Sequence, residues 1–427
     1  MDTQELAPQN FAERVIWFSI TRTYLFYLVG GLYILAPVIA RVLLFHLGYI
    51  LWRQTPLTPS SERIFIPFGV WVWIVSMLVM ELALLVGHAD YGLDLGQTIK
   101  STIGWAKGWA LIAIFPMIGC LHVRPELIYK ATAIVCLHTL IIMPFLIVAY
   151  LVHLPADLYV SPLQAVGGPG PEYFTVTLYG INPDGTPRWR LFTPWGPALG
   201  FVANFYFIFA LQLKGSRWFY IGIIGSVLMC LVSKSRLALV SIAFVAFAAA
   251  LLSRLTKLPV LAFLSASSLL AGINAPSLIE TFNNFNQKFS EARADSSRVR
   301  SALGRIAVQR WESEAPVWGH GIVEKGPHLV EYMMIGSHHT WYGLLFVKGL
   351  VGFFALAVAM AYSFIELVYK AQQNPLCRVG LCVILILFLY TFGENLEILA
   401  YLFWPALVVM GASFKQPISS SQIDTTQ

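Results

Sequence analysis

The sequence predicts an all-α, polytopic integral membrane protein with about 11–12 transmembrane helices and one large extracytoplasmic helical loop. Three observations predict it. Of 427 residues, 57% are hydrophobic and only 12% charged, and mean hydropathy is +0.69, which is more apolar surface than a soluble core needs. Apolar residues gather in runs long enough for spanning helices, each of which takes roughly 20 mainly apolar residues. Basic residues mark every second connection between those runs, the pattern of cytoplasmic loops.

The runs lie at 24–50, 65–87, 104–121, 127–152, 193–213, 217–232, 236–253, 258–274, 339–369, 376–393 and 397–413. The first is too long for a cleavable signal peptide and lacks a small-residue cleavage site. Pro37 and Arg41 inside it leave room for an extra helix or a re-entrant break. Arg53 and Arg63, Arg124 and Lys130, Lys214 and Arg217, Arg254 and Lys257, Lys370 and Arg378, and finally Lys415 assign their loops to the cytoplasm. The stretches 153–192, 232–236, 275–338 and 394–396 then face outward, and with eleven runs so does the N-terminus. The net charge of +6 follows this loop bias and gives no reason to expect nucleic-acid binding. Cys120, Cys136, Cys230, Cys377 and Cys382 all fall in or beside apolar spans, as small buried hydrophobes do. The chain has no internal repeat, P-loop or GxGxxG signature and reads as a single membrane domain, 1–427, with a disordered polar tail, "SSSQIDTTQ".

The polar residues that do not set topology collect on the outward side. The loop 275–338 is too long to be structureless without a function, and its "SSRVRSALGRIAVQRW" (296–311) reads as an amphipathic helix with Val299, Ala302, Leu303 and Ile306 as its stripe. Arg298, Arg300, Arg305 and Arg310 follow one another with no acid between them. Arg298 and Arg305 share one side, ~10 Å apart along the axis. One reading is a helix resting on lipid headgroups. The other is a diphosphate clamp, because guanidinium pairs bidentately with phosphate oxygens. Arg190 in "RWRLFTPW" and Arg236 in "SKSR" stand where outward loops enter helices, where a charge either snorkels or serves a site.

His338 and His339 open the run at 339–369, in which Gly349 and Gly352 let a neighbour pack close. Such a histidine is either structural or a proton acceptor, since imidazole titrates near neutrality. Adjacent histidines on a helix point about 100° apart and share a metal poorly. No HExxH, CxxC or acidic triad supplies further ligands, so no metal or other cofactor is expected. His88, His320 and His328 stand alone.

A histidine, a polar residue, nine others and then Gly-x-x-Gly resembles the hallmark of the O-antigen ligase and Wzy-type polysaccharide polymerase superfamily. Here these are His338, His339, Gly349 and Gly352. "APVWGHG" (315–321), the arginine-bearing helix before it, "SKSR" (233–236) and "RWRLFTPWGPALG" (188–200) are similar to further family segments. The family usually carries Asn, Ser or Gln at the place of His339, and Pro-Asn where this chain has Pro194-Trp195. The resemblance implies an inverting, metal-independent glycosyltransferase of the bacterial inner membrane, with its active site on the periplasmic face. Its donor would be undecaprenyl-diphosphate-linked oligosaccharide, and its acceptor a glycan or the lipid A core. His338 would then be the catalytic base or acceptor-positioning group, and Arg190, Arg236, Arg298, Arg300 and Arg305 the candidates to hold the diphosphate.

Within that superfamily the favoured function is polymerisation of surface-polysaccharide repeat units, of capsule, O-antigen or exopolysaccharide. Ligation of finished glycan to lipid A core is the alternative. Protein-directed oligosaccharyltransferases usually carry extra sequence beyond the last helix, whereas this chain ends soon after it. A transporter or lipid flippase, which predicts inverted repeats and midplane charges, is the remaining alternative; the chain shows no repeat, and its notable charges lie at the outer edge.

Overall fold

The computed structural model describes residues 6–60, 62–182, 185–291 and 294–417; the polar tail lies outside the described residues. The chain begins with a crossing that the apolar runs do not include. Asn10 caps α1 (Phe11–Thr21) by accepting from the Glu13 amide at 2.9 Å, and beyond Arg22 the chain continues as α2 (Thr23–Leu28). Gly30, at φ +67°, turns it into α3 (Leu32–Arg53). A Cβ on Gly30 would lie 2.2 Å from that of Ser161, so the outer loop packs directly on this turn. Arg41 donates to the carbonyls of Pro37 and Ala106, at 2.7 and 3.2 Å, which accommodates its charge within the span.

This crossing corrects the outward N-terminus. Asn10 Nδ2 donates to the His122 carbonyl at 2.7 Å, and Arg124 pairs with the buried Glu13 at 2.7 Å. The N-terminal segment therefore shares a side with the Arg124 connection, which the positive-inside rule makes cytoplasmic. Glu13, Arg14 and Arg22 dilute the hydropathy of residues 11–23 and conceal the crossing in the sequence.

The chain goes on through α4 (Phe68–Asp90), α5 (Leu95–Lys107), α6 (Trp109–Ile118) and α7 (Pro125–Leu151). After the first outer loop come α8 (Gly196–Ala210), α9 (Arg217–Val232), α10 (Arg236–Leu252) and α11 (Leu258–Ile273). The second outer loop holds α12 (Ala275–Glu291) and α13 (Ala294–Glu314), and the chain ends with α14 (Thr340–Ala371), α15 (Pro375–Tyr390) and α16 (Leu396–Phe414). Among the described residues, α3, α4, the α5–α6 unit, α7, α14 and α16 are long and apolar enough to cross a membrane. α8, α9, α10 and α15 are shorter apolar helices, and α11 passes the same length and hydropathy test only together with the start of α12, from which it is bent by 82°. The protein is an all-α polytopic membrane protein. All five cysteines are buried, as their positions predict.

Its centre is α16, whose residues from Leu399 to Phe414 are buried without exception. It packs between α3, α6 and α15, so its apolar side chains meet protein rather than lipid. The first outer loop holds two short hairpins, β1 (Asp157–Val160) with β2 (Thr175–Thr177), and β3 (Gly180–Ile181) with β4 (Pro187–Arg188). The expected amphipathic helix is α13. Val299, Ala302, Leu303 and Ala307 bury against Val330, Ile335 and Phe346, with Ile306 at the edge. Its stripe is thus taken up by α14 and the loop leading to it, and the helix is docked on protein.

Candidate active site

The site is organised by a break in α14. Gly349 has φ +59° and ψ −159° in the middle of that helix, a conformation L side chains rarely adopt. A break frees backbone groups, and at membrane depth these must be satisfied by protein. The segment 315–321 does so. His320 and Gly321 amides donate to the carbonyls of Phe346 and Val347, both at 2.9 Å, while Leu350 and Val351 amides donate to those of Pro316 and Val317, at 3.0 and 3.2 Å. A Cβ on Gly349 would come within 2.2 Å of the Val317 carbonyl oxygen. The close packing expected at Gly349 is therefore made by this turn-rich segment rather than by a neighbouring helix. Gly352 instead makes room for the Lys348 side chain, which supplies the three atoms nearest to a Cβ there.

Two of the isolated histidines hold the same segment. His88 Nε2 lies 3.0 Å from the Gly321 carbonyl. His320 is buried, with Nδ1 2.9 Å from the Phe346 carbonyl and Nε2 2.8 Å from Glu314. Their roles are structural.

Above the break, α14 starts against the α15–α16 turn. Thr340 donates its hydroxyl to the Glu394 carbonyl at 2.7 Å and its amide to that of Thr391 at 2.9 Å, and Trp341 Nε1 donates to the Thr391 hydroxyl at 2.8 Å. A cavity of about 790 Å³ opens beside this junction. Arg188 reaches it from β4, Arg300 from α13, His338 from the turn before α14, and Glu394 from the α15–α16 turn. Lys348 and Glu397 line it on α14 and α16, with aromatic walls from Trp195 and Tyr173.

Of the residues singled out in the sequence, the structure brings Arg300 and His338 together here. It does not bring the other four arginines to the cavity. Arg190 donates to Thr177 Oγ1 and the Pro194 carbonyl, at 2.8 and 2.7 Å, and braces the loop. Arg236 is the first residue of α10, behind its N-cap Ser235. Arg298 donates to the Leu329 carbonyl and to Glu331, and Arg305 to Ser301 Oγ. Arg188 and Glu394 were not singled out. Arg188 stands two residues before Arg190 and would share its face in a regular strand, but only Arg188 lines the cavity, because Arg190 is held inside the loop by Thr177 and Pro194. Glu394 had one faint signal, an acid in a very short outward turn between two apolar helices.

The electrostatics separate the titratable groups. Burial, reinforced by the Arg300 charge, pushes the His338 imidazole down to about 4, so it is neutral at ordinary pH. Burial raises the Glu394 carboxyl to about 7 against the opposing pull of the Trp195 hydrogen bond, Arg300 and Arg188. Among the described residues, no group of three or more His, Cys, Asp or Glu side chains could hold a metal ion. The cavity therefore offers two guanidinium groups for an anion, a neutral imidazole and a carboxyl poised near neutrality.

Residues 221–357 match the family model described as O-antigen ligase. Over this segment the chain is similar to the O-antigen ligases. The match runs from α9 into α14 and takes in Arg236, α13, the 315–321 segment, His338 and the Gly349 break. It supports the resemblance to the O-antigen ligase and Wzy-type superfamily, and with it a membrane enzyme of surface-polysaccharide assembly. No curated protein matches the chain. Arg188 and Glu394 lie outside the segment matched to O-antigen ligase and enter the site only through the fold.

Proposed function

We propose that the protein is an inverting, metal-independent glycosyltransferase that polymerises undecaprenyl-diphosphate-linked repeat units of a surface polysaccharide at the periplasmic face of the bacterial inner membrane. The observation that carries this reading is the convergence of Arg188, Arg300 and His338 on one cavity at the mouth of α14. A lipid diphosphate leaves as an anion when the sugar–oxygen bond breaks. Guanidinium groups held in place before the reaction stabilise that charge without reorganising, and bidentate pairing fixes the phosphate orientation. Arg188 and Arg300 fill this role. His338 is neutral and keeps one ring N–H, which donates to a lone pair of the acceptor oxygen and aims that oxygen at the anomeric carbon. A donor anchored in lipid explains why such a polar cavity opens among membrane helices.

The second reading, transfer of finished glycan to lipid A core, is favoured by the description of the matching family. The surface-polysaccharide gel profile of a deletion strain tests both. Loss of every chain longer than one repeat supports polymerisation, whereas lipid-linked polymer that accumulates untransferred supports ligation. Transfer by the purified protein should persist in excess EDTA; abolition with recovery on adding a divalent ion would refute the metal-free reading.

A further inference from the structure

We propose that Glu394, rather than His338, takes the proton of the acceptor hydroxyl; this rests on the transferase reading above. Glu394 is only 2% exposed, yet it lines the same cavity as Arg188, Arg300 and His338. Its backbone is fixed on both sides: the amide donates to the Tyr390 carbonyl at 2.9 Å, and the carbonyl accepts from Thr340 at 2.7 Å. Trp195 Nε1 donates to Oε2 at 2.9 Å, and no donor among the described residues reaches Oε1. The acid is not needed to cap α16, because Asn395 accepts from the Glu397 amide and holds that position. A buried carboxyl with one oxygen held and the other unengaged costs stability, a cost that a role in the cavity accounts for.

The charges around it favour the assignment. Arg188 faces Glu394 from the first outer loop and Arg300 from α13, and both support its ionised form; Tyr173 and Tyr390 also face it, from that loop and from α15. A base works best when its pKa lies near the operating pH. The Glu394 carboxyl, at about 7, meets this condition, while the His338 imidazole, at about 4, holds a proton too weakly. Donor binding acts on both groups, since Arg300 also depresses the His338 imidazole. A diphosphate on Arg188 and Arg300 offsets their pull and makes the carboxylate more basic when the proton must be taken. In the step, the acceptor oxygen forms its bond to the anomeric carbon as the bond from that carbon to the phosphate oxygen breaks. The leaving electron pair stays on the lipid diphosphate. The acceptor proton passes to Glu394 Oε1 and is released to water with the product.

The test uses the purified full-length protein and lipid-diphosphate-linked glycan extracted from cells lacking this gene, with product followed across pH about 5.5–9. In the wild type, kcat should fall on the acid side of an inflection at or somewhat above the Glu394 value, with the inflection lower in kcat/KM. E394Q keeps an acceptor for Trp195. It should lower kcat by about 10²-fold or more, leave the donor KM within about two-fold, and abolish the acid-side fall. E394D should retain part of the rate together with that fall, and H338Q should be slower yet keep it. An E394Q protein with near-normal kcat, or one whose remaining activity still falls on the acid side, overturns the assignment. So does E394D as inactive as E394Q with a raised donor KM, which would mark a structural acid. Absence of any transfer by the wild type would overturn the transferase reading itself, and this inference with it.

Discussion

His338 and His339 are consecutive residues that face different cavities. His338 lines the polar cavity with Arg188, Arg300 and Glu394. His339 lines an apolar one of about 770 Å³ between α14 and α15, walled by Trp341, Phe353, Phe364, Leu385 and Phe388. His339 is also the N-cap of α14, accepting from the Tyr342 amide at 3.4 Å and stacking on the Tyr342 ring at 3.9 Å. The difference comes from position at a boundary. His338 still belongs to the turn that leads into the site, while His339 has the extended backbone of a cap, so a step of one residue changes side. A polar, charge-lined cavity and an apolar one are thus reached by two neighbouring side chains.

If the polar cavity holds a diphosphate, its arginines carry the largest effects. Arg300→Ala and Arg188→Ala should each reduce turnover by about 10²–10³-fold, the scale of losing one preorganised donor to a developing anion. Lys at either position should restore only part, because a point charge does not reproduce the guanidinium fork. Arg298→Ala and Arg305→Ala, on the outer side of α13, should stay within a few-fold in the same assay. Equal losses at all four positions would erase the distinction between the cavity and the rest of that helix.

Next in size is the histidine of the polar side. His338→Ala should lower turnover by about 10²-fold through lost acceptor alignment, while the protein still inserts and purifies. Full activity of this variant would leave the arginines and Glu394 as the whole machinery.

The comparison also shows what a sequence reveals here. Hydropathy exposes most of the spanning helices because lipid demands long apolar runs, but it misses α1. The charge that allows that crossing, Glu13 with Arg124, is paired across 111 positions of sequence. The spacing from His338 to Gly349 led to the junction beside the cavity, although Gly349 proved to be a helix break whose partner, the turn-rich segment 315–321, could not be read from local pattern. The arginines illustrate the harder case. Side chains at 298 and 300 diverge by about 200° around a helix, so one of them at most faces the site, and the choice depends on how α13 docks. Glu394 and Arg188 have no local motif and become functional candidates only where three distant segments meet.

A smaller effect distinguishes the polar cavity by its stability. The folded Glu394 carboxyl keeps its proton to about 7, against an ordinary value of 4.5. Between those values the folded state binds more protons than the unfolded one, so stability falls as pH rises and levels off above 7. Gln mimics the protonated acid at every pH. Glu394→Gln should therefore raise the apparent Tm by a few degrees at pH 8, an upper limit of ~3 kcal/mol at 1.36 kcal/mol per pKa unit, and by almost nothing below pH 4.5. A gain independent of pH would mean that the carboxyl is not held protonated by burial.

The smallest effect belongs to the apolar side and decides whether the two histidines differ in kind. Asn caps helices at least as well as any residue, and its amide can accept from the Tyr342 amide as His339 Nδ1 does. His339→Asn should thus keep α14 intact and change turnover by no more than about two-fold, losing only the stacking on Tyr342. The control is His339→Leu, which removes the cap at an expected cost of about 1 kcal/mol and should lower Tm with little change in kcat. If His339→Asn abolishes transfer while His338→Ala does not, the catalytic face lies on the other side of the boundary, and the polar cavity is not where the sugar is transferred.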